Sequence, residues 1–352
     1  MFGKVEVTSA VGAKLAHRMV TSNGPLAKGH LLSPADARLL ASDGVKEVLV
    51  HRLEPDEIDE SSAAELLREN FISDGIEART GVGGRINFYA SLSGLFRASQ
   101  SLIDNFNLVD DAITFACLND FSNVTAGELV GTIKIITLAV TRQAVLRARR
   151  IASKAAPICL KPFLPNSVTI ISTTSGAVAA KTIAKTHRVT TDRVLARNSK
   201  IIAEFVTDHS MDALADVLRS QAMFQRESPD IIIVFGASAV ADAGDVIPLA
   251  IQAAGGQIDR IGMPVDPGNL AVLGRIRETV VIGAPGCARS PAMNGLDIIL
   301  DRVAAKENFS RAEIARLGVG GLLKTIDEPP RERKGRAVPN FAGRDPIFSH
   351  AD

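Results

Sequence analysis

Three short stretches of small and turn-forming residues carry the side chains best suited to chemistry, and each follows an apolar run. The first is Gly236-Ala237-Ser238, continuing through Asp242 to Asp245. Its small residues let the backbone approach a ligand and leave N–H groups uncovered for an anion. The Ser238 hydroxyl can donate to a phosphate or serve as an ordinary turn serine. A carboxylate at Asp245, just ahead of a predicted helix, can hold Mg2+ against phosphate oxygens or cap that helix. Asp242 reads first as a solvated turn acid. The second stretch is Asp266-Pro267-Gly268-Asn269, which is equally a turn built on Pro-Gly. The third is Pro285-Gly286-Cys287-Ala288-Arg289-Ser290. Cys287 ahead of a helix is either an activated thiolate or a small buried residue.

The elements that must position these loops follow from pattern. Ile231 to Phe235 is a β-branched apolar run bounded by turn residues, which predicts a buried parallel strand. Val246 to Ala254 predicts a helix with Asp245 as N-cap, Pro248 in the first turn and Gly255-Gly256 at the end. Ile258 to Gly262 and Thr279 to Ile282 read as strands. Leu296, Ile299, Leu300 and Val303 recur at helical spacing after Ser290-Pro291, which reads as cap and first turn. Earlier, Ser167 to Ile171 is a strand closed by Ser172-Thr173-Thr174-Ser175-Gly176. Thr191 to Arg197 is helical, Ile201 to Val206 a strand and Met211 to Gln225 an amphipathic helix. Strand and helix alternate, which predicts a doubly wound α/β layer with ligands at the C-terminal strand edge. Strand–loop–helix units of this kind favour phosphate at the helix N-terminus.

The 352 residues suffice for two domains, with Pro157 to Pro165 as the boundary: an N-terminal α/β region over 1–156, an α/β domain over 157–326 and a mobile tail over 327–352. Ahead of that boundary, Ser33-Pro34 caps a helix ended by Gly44, and Val45 to Val50 is a strand. Ser61 to Glu69 is an amphipathic helix, Phe88 to Asn105 a longer one, and Arg142 to Ala156 a basic connector helix. Thr80 to Asn87 is a glycine-rich turn whose Arg85 either grips phosphate or is solvated, and Arg85, Asn87 and Lys134 are further candidate ligand contacts.

The formal net charge of +1, with interspersed signs, argues against a nucleic-acid surface. Three scattered cysteines fit neither a disulfide framework nor a zinc cluster. No leader and no apolar run of membrane-spanning length is legible, so the expected compartment is the cytoplasm, without membrane attachment. His187 and His209 lie outside the three loops, so no Ser-His-Asp arrangement is legible, and no Gly-Lys-Ser/Thr follows the glycines.

The three loops, in this order, resemble those of the molybdopterin-binding superfamily, which includes molybdopterin adenylyltransferase and molybdotransferase. Gly236-Ala237-Ser238 with Asp245-Val246-Ile247-Pro248 resembles its Gly-Gly-Thr/Ser … Asp-x-Thr-Pro loop. Asp266-Pro267-Gly268-Asn269 resembles its Lys-Pro-Gly-Lys/Asn loop, and Ala284-Pro285-Gly286-Cys287-Ala288 its Leu-Pro-Gly-Asn-Pro loop. With Gly318-Val319-Gly320-Gly321, the stretch is similar to a bacterial molybdopterin-binding branch, sometimes fused to a nucleotidyltransferase domain. Here Cys287 replaces the family Asn, and the first loop, Ser172 to Gly176, lacks the family's acidic position. The resemblance implies a three-layer molybdopterin-binding-type α/β domain and a role in molybdenum cofactor biosynthesis. It further implies molybdopterin or the finished cofactor as ligand, and Mg2+-dependent nucleotidyl or molybdate transfer if the protein is an enzyme. Alternatives are a non-catalytic cofactor carrier or a nucleotide-metabolite hydrolase on the same fold. The implied binding residues are Ser172, Thr174, Gly236, Ala237, Ser238, Asp242, Asp266, Pro267, Gly268, Asn269, Pro285, Gly286, Cys287 and Ser290. Asp245 is implied for catalysis and metal. Asp266 and Asn269 would meet the amide edge of the pterin. A molybdoenzyme or nucleotidyltransferase as partner, and homo-oligomers, complete the expectation.

Overall fold

A computed structural model describes residues 1–176, 180–223, 228–307 and 309–323. The expected tail over 327–352 lies outside the described residues. The chain is mixed α/β. The half that carries the three loops is a six-stranded sheet in the order 200–208, 167–174, 231–235, 279–284, 272–276, 257–261. The first four of these strands are mutually parallel, and the last two run antiparallel as a meander. All five residues of Ile231–Phe235 are buried, as expected for a strand covered on both faces. One face packs against Leu296, Ile299 and Leu300 of the Gly295–Ala304 helix. The other packs against Leu214 and Leu218 of Met211–Met223 and Ile247 and Ile251 of Val246–Ala253. Each such apolar side chain contributes about 1.5–3 kcal/mol on burial, enough to offset the ordering of its own backbone.

The chain leaves Ser167–Thr174 for the strand on one side, Lys200–Asp208, then crosses to the other side for Ile231–Phe235. Strand order therefore reverses between Ser167–Thr174 and Ile231–Phe235. At such a switch point the loops diverge and open a crevice at the C-terminal edge.

Several expectations are corrected. Phe88 to Asn105 is not one helix but the strands Arg85–Ala90 and Gly94–Ala98 followed by the helix Gln100–Asn107. Ile86, Phe88 and Ala90 are buried while Asn87 and Tyr89 are half-exposed, a period of two that fixes a strand. Phe88 joins Phe71, Phe106 and Phe115 in an aromatic cluster under this sheet. The helix read as Thr191 to Arg197 spans Ala180–Leu195. The Val272–Ile276 strand was unpredicted; it turns into Thr279–Ala284 through Arg277 at φ 51°, without the usual Asn-Gly signal. The Gly295–Ala304 helix is capped by Asn294 with Asp297 in a capping box, not by Ser290-Pro291. The expected boundary segment carries the strand Ile158–Pro162, paired with Gly94–Ala98.

Candidate functional site

The crevice begins where Ser167–Thr174 ends. Ser172, Thr173 and Thr174 alternate across the sheet, so Ser172 faces one layer and Thr173 the other. On the first face Ser172 Oγ lies 3.1 Å from His187 Nε2, and His187 Nδ1 lies 2.8 Å from Glu204 Oε2. Glu204 accepts from the Nδ1–H, which leaves Nε2 facing the Ser172 hydroxyl. This is a serine–histidine–glutamate line, but Ser172 is 1 % exposed and has no open path to a substrate. It ties the edge strand Lys200–Asp208 and the helix Ala180–Leu195 to the crevice wall.

On the second face a parallel line reaches the surface. Ala237 N–H donates to Thr173 Oγ1 at 3.0 Å, and Thr173 Oγ1 lies 2.7 Å from His209 Nδ1. Thr173 is 1 % exposed, so its single hydroxyl proton must find an acceptor inside, and His209 Nδ1 is the one in reach. His209 Nε2 then carries the proton and donates to Ser238 Oγ at 2.9 Å. Ser238 is exposed, and with one lone pair occupied its own O–H is left free to donate outward.

The third loop supplies the cation. Arg289 donates through Nη2 to Gly236 O at 2.9 Å and through Nη1 to Thr186 Oγ1 at 3.0 Å, with its guanidinium 5.3 Å from the Phe235 ring. No carboxylate pairs with it among the described residues, and burial pushes its pKa down. A half-buried guanidinium hydrogen-bonded only to neutral groups is available to an incoming anion. The loop is clamped from beneath by Arg193, which donates to Ala288 O, Ser290 O, Ala292 O and Asp297 Oδ1 at 2.6–2.9 Å.

The remaining predicted residues divide in two. Asp245 caps Val246–Ala253: Oδ1 accepts from Val246 N at 2.7 Å and Oδ2 from Ala241 N at 3.1 Å. Asp242 Oδ1 accepts from Gly244 N at 2.8 Å. Both carboxylates thus brace their own loop, and each oxygen of Asp245 keeps a lone pair for a further partner. Among the described residues no group of three or more His, Cys, Asp or Glu is placed to hold a metal ion. Mg2+ commonly keeps its waters and binds through one carboxylate plus ligand phosphates, and the Asp245 lone pairs fit that mode alone.

Asp266 and Asn269 are exposed on the second loop, which is pinned at both ends. Gly268, at φ 133°, packs so tightly that a Cβ would sit 2.2 Å from Gly295 N. Asp266 N donates to Gly321 O and Leu323 N to Asp266 O, both at 2.8 Å. Burial first, and then the Asp266 carboxylate, push the Cys287 thiol up, so it is a protonated, half-buried side chain and not an activated thiolate. The third loop therefore bridges two clusters, with Arg289 facing the crevice and Cys287 facing Asp266. Thr173, His187, Glu204, His209 and Arg289 were missed from the sequence. Only Arg289 left a local signal, as an arginine without a nearby acid in a glycine-proline loop.

Arg85 and Lys134 pair across the Arg85–Ala90 and Leu129–Ile135 strands, far along the chain from these loops. Lys134 Nζ donates to Gly83 O, and burial followed by Arg85 and Lys28 lowers its pKa. No helix among the described residues is long and apolar enough to cross a membrane.

No family model and no curated protein matches the chain. Solved structures similar to it include a molybdopterin biosynthesis MoeA protein from Pyrococcus horikosii, at 15% identity and TM-score 0.29, covering 71% of this chain and 81% of that one. A molybdenum cofactor biosynthesis protein from Pyrococcus furiosus matches at 12% identity and TM-score 0.23, covering 90% and 65%. Molybdenum cofactor biosynthesis protein B matches at 11% identity and TM-score 0.27, covering 41% and 89%. At such TM-scores the likeness carries no functional argument, and the chemistry rests on this chain's own residues.

Proposed function

We propose that the protein binds a molybdopterin-type phosphate in the switch-point crevice and acts in molybdenum cofactor biosynthesis. The observation that carries this reading is the pairing of two free donors at one edge. His209 leaves the Ser238 hydroxyl pointing outward, and Arg289, without a carboxylate, comes up beside Gly236. The order of the three loops supplies the pterin. Asp266 and Asn269 would meet its amide edge, Thr174 and the Gly236-Ala237 backbone its phosphate, and Asp245 would be the residue to hold Mg2+. When bound, that ion would offset negative charge on the phosphate.

The test is a titration of the full chain with molybdopterin and with the finished cofactor, with and without Mg2+, alongside an assay of nucleotide turnover. Arg289→Met and Ser238→Ala are the variants. A hydrogen bond to a charged group contributes about 1.5–3 kcal/mol, so Arg289→Met is expected to weaken binding by about tenfold to a hundredfold. Mg2+-dependent turnover lost in Asp245→Ala marks transfer, and tight binding without turnover marks a carrier. Undiminished pterin binding in Arg289→Met, or none in the unaltered chain, overturns the reading.

A further inference from the structure

A separate cavity of about 940 Å³ lies between the Gly94–Ala98 strand, the loop 119–123, the Gly295–Ala304 helix and the segment 316–323. None of the crevice residues lines it. Its walls are apolar at Leu95, Ile298, Leu317 and Val319, with Asn119 and Ser122 between them. One wall holds Arg302, which is 4 % exposed. Its Nη1 is sealed from solvent and has no hydrogen-bond partner, and the guanidinium forms no ion pair among the described residues. It is stacked over the Phe121 ring, 3.0 Å from the centroid, with Arg97 also over that ring at 3.9 Å.

The carboxylates around it are already engaged. Asp120 and Glu307 accept from Arg97 at 2.9 and 2.6 Å, Asp301 accepts from Arg197 and Asn123, and Glu313 accepts from Ser310 N. Each lies beyond ion-pair distance of Arg302, so they soften the field without supplying the missing hydrogen bonds. Burial, followed by the neighbouring Arg97, pulls the Arg302 pKa down to about 10, so it stays charged at neutral pH. A buried, charged donor without an acceptor is costly to a fold. The aromatic stacking and the C-terminal turn of its own helix recover part of that cost. An oxyanion that accepts from the guanidinium fork, carboxylate or phosphate, recovers the rest.

We propose that this cavity is a second ligand site, taking a small organic oxyanion, a carboxylate or phosphate on an apolar body, whose head draws the Arg302 side chain far enough off Phe121 to open the sealed Nη1 to it. The exposed Arg316 at the mouth adds attraction for the same sign of charge, and the apolar walls require the body.

The probe is fluorophenyl phosphate, followed by fluorine NMR on the full chain, with inorganic phosphate as competitor. The unaltered protein is expected to bind it, and Arg302→Met to weaken it at least about tenfold, or about 1.4 kcal/mol. Arg302→Lys, which keeps charge but loses the planar fork, falls between them. Arg289→Met, which strips the crevice of its cation, is expected to spare the share of probe binding that Arg302→Met removes, so failure here is distinct from failure of the crevice reading. Absence of binding at millimolar probe overturns the proposal, as does equal affinity in folded Arg302→Met. Binding lost with Arg289→Met instead, or complete displacement by equimolar inorganic phosphate, also overturns it.

Discussion

Four arginines near the Gly295–Ala304 helix fall into two pairs. Arg193 and Arg197 are 7 % and 6 % exposed and meet Asp297 and Asp301, which are as deeply buried. Arg289 and Arg302 are also withdrawn from solvent and meet no carboxylate. The satisfied pair joins helix to helix, and Asn123 Nδ2, 2.6 Å from Asp301, extends the network to the N-terminal region. Its guanidinium groups have no reason to seek a ligand. The pair without carboxylate partners lies at the crevice and at the cavity. The difference separates cations that build this fold from cations the fold leaves for something else.

The largest expected effect sharpens that contrast from the satisfied side. Asp297→Asn leaves Arg193 and Arg197 in place with a weakened partner and also disturbs the capping box with Asn294. Breaking a buried pair by removing one member costs about 3–5 kcal/mol, so the urea midpoint should fall steeply. Changing Arg193 and Asp297 together to apolar residues of similar volume should cost less than the single change, because no charge is stranded. A double variant as unstable as Asp297→Asn would show that the three carbonyl contacts of Arg193 dominate instead.

The unsatisfied side predicts the reverse sign. Arg289→Met and Arg302→Met each remove a withdrawn charge while keeping a long apolar stem, so ligand-free thermal midpoints should hold steady or rise. Midpoints falling as far as in Asp297→Asn would break the comparison and make these arginines structural.

The sequence made the scaffold of the crevice legible through strictly local signals. Ile231 to Phe235 could only be a covered strand, and Asp245 ahead of Val246-Ile247-Pro248 could cap a helix from position alone. The chemistry across the crevice was not legible, because it depends on pairing. His187 reaches Ser172 over 15 positions and His209 reaches Ser238 over 29, and nothing local marks either histidine. Cys287 stayed open between thiolate and buried residue because its position before a helix argues for activation, whereas burial beside Asp266 argues for a protonated thiol and needs the fold to be seen. Asn294 displaced Ser290 as cap for a similar reason. Arg193 holds the carbonyls of Ala288, Ser290 and Ala292, which keeps that stretch out of the helix.

The smallest expected effect tests the comparison at the surface, where charge pairing should matter least. Asp36 closes the capping box of the Pro34–Ser42 helix. Its Oδ2 accepts from Ser33 Oγ at 2.6 Å, from Ser33 N at 2.9 Å and stands 2.9 Å from His30 Nε2. The Ser33 hydroxyl first, then His30, hold its carboxyl down at about 2, below the ordinary 3.8. A depressed carboxylate stabilises the fold above its unfolded value and loses that contribution as pH falls through its folded value. The Asp36 contribution should therefore be complete above about pH 4 and fade toward pH 2. Asp36→Asn keeps the shape but loses the charge, and cap substitutions cost about 0.5–2 kcal/mol. The gap in urea midpoint between the unaltered chain and Asp36→Asn should be open at pH 6 and narrow steadily below pH 4. A gap independent of pH would assign the cap to geometry alone. A gap as large as that of Asp297→Asn would mean that a partly exposed carboxylate matters to this fold as much as a buried one.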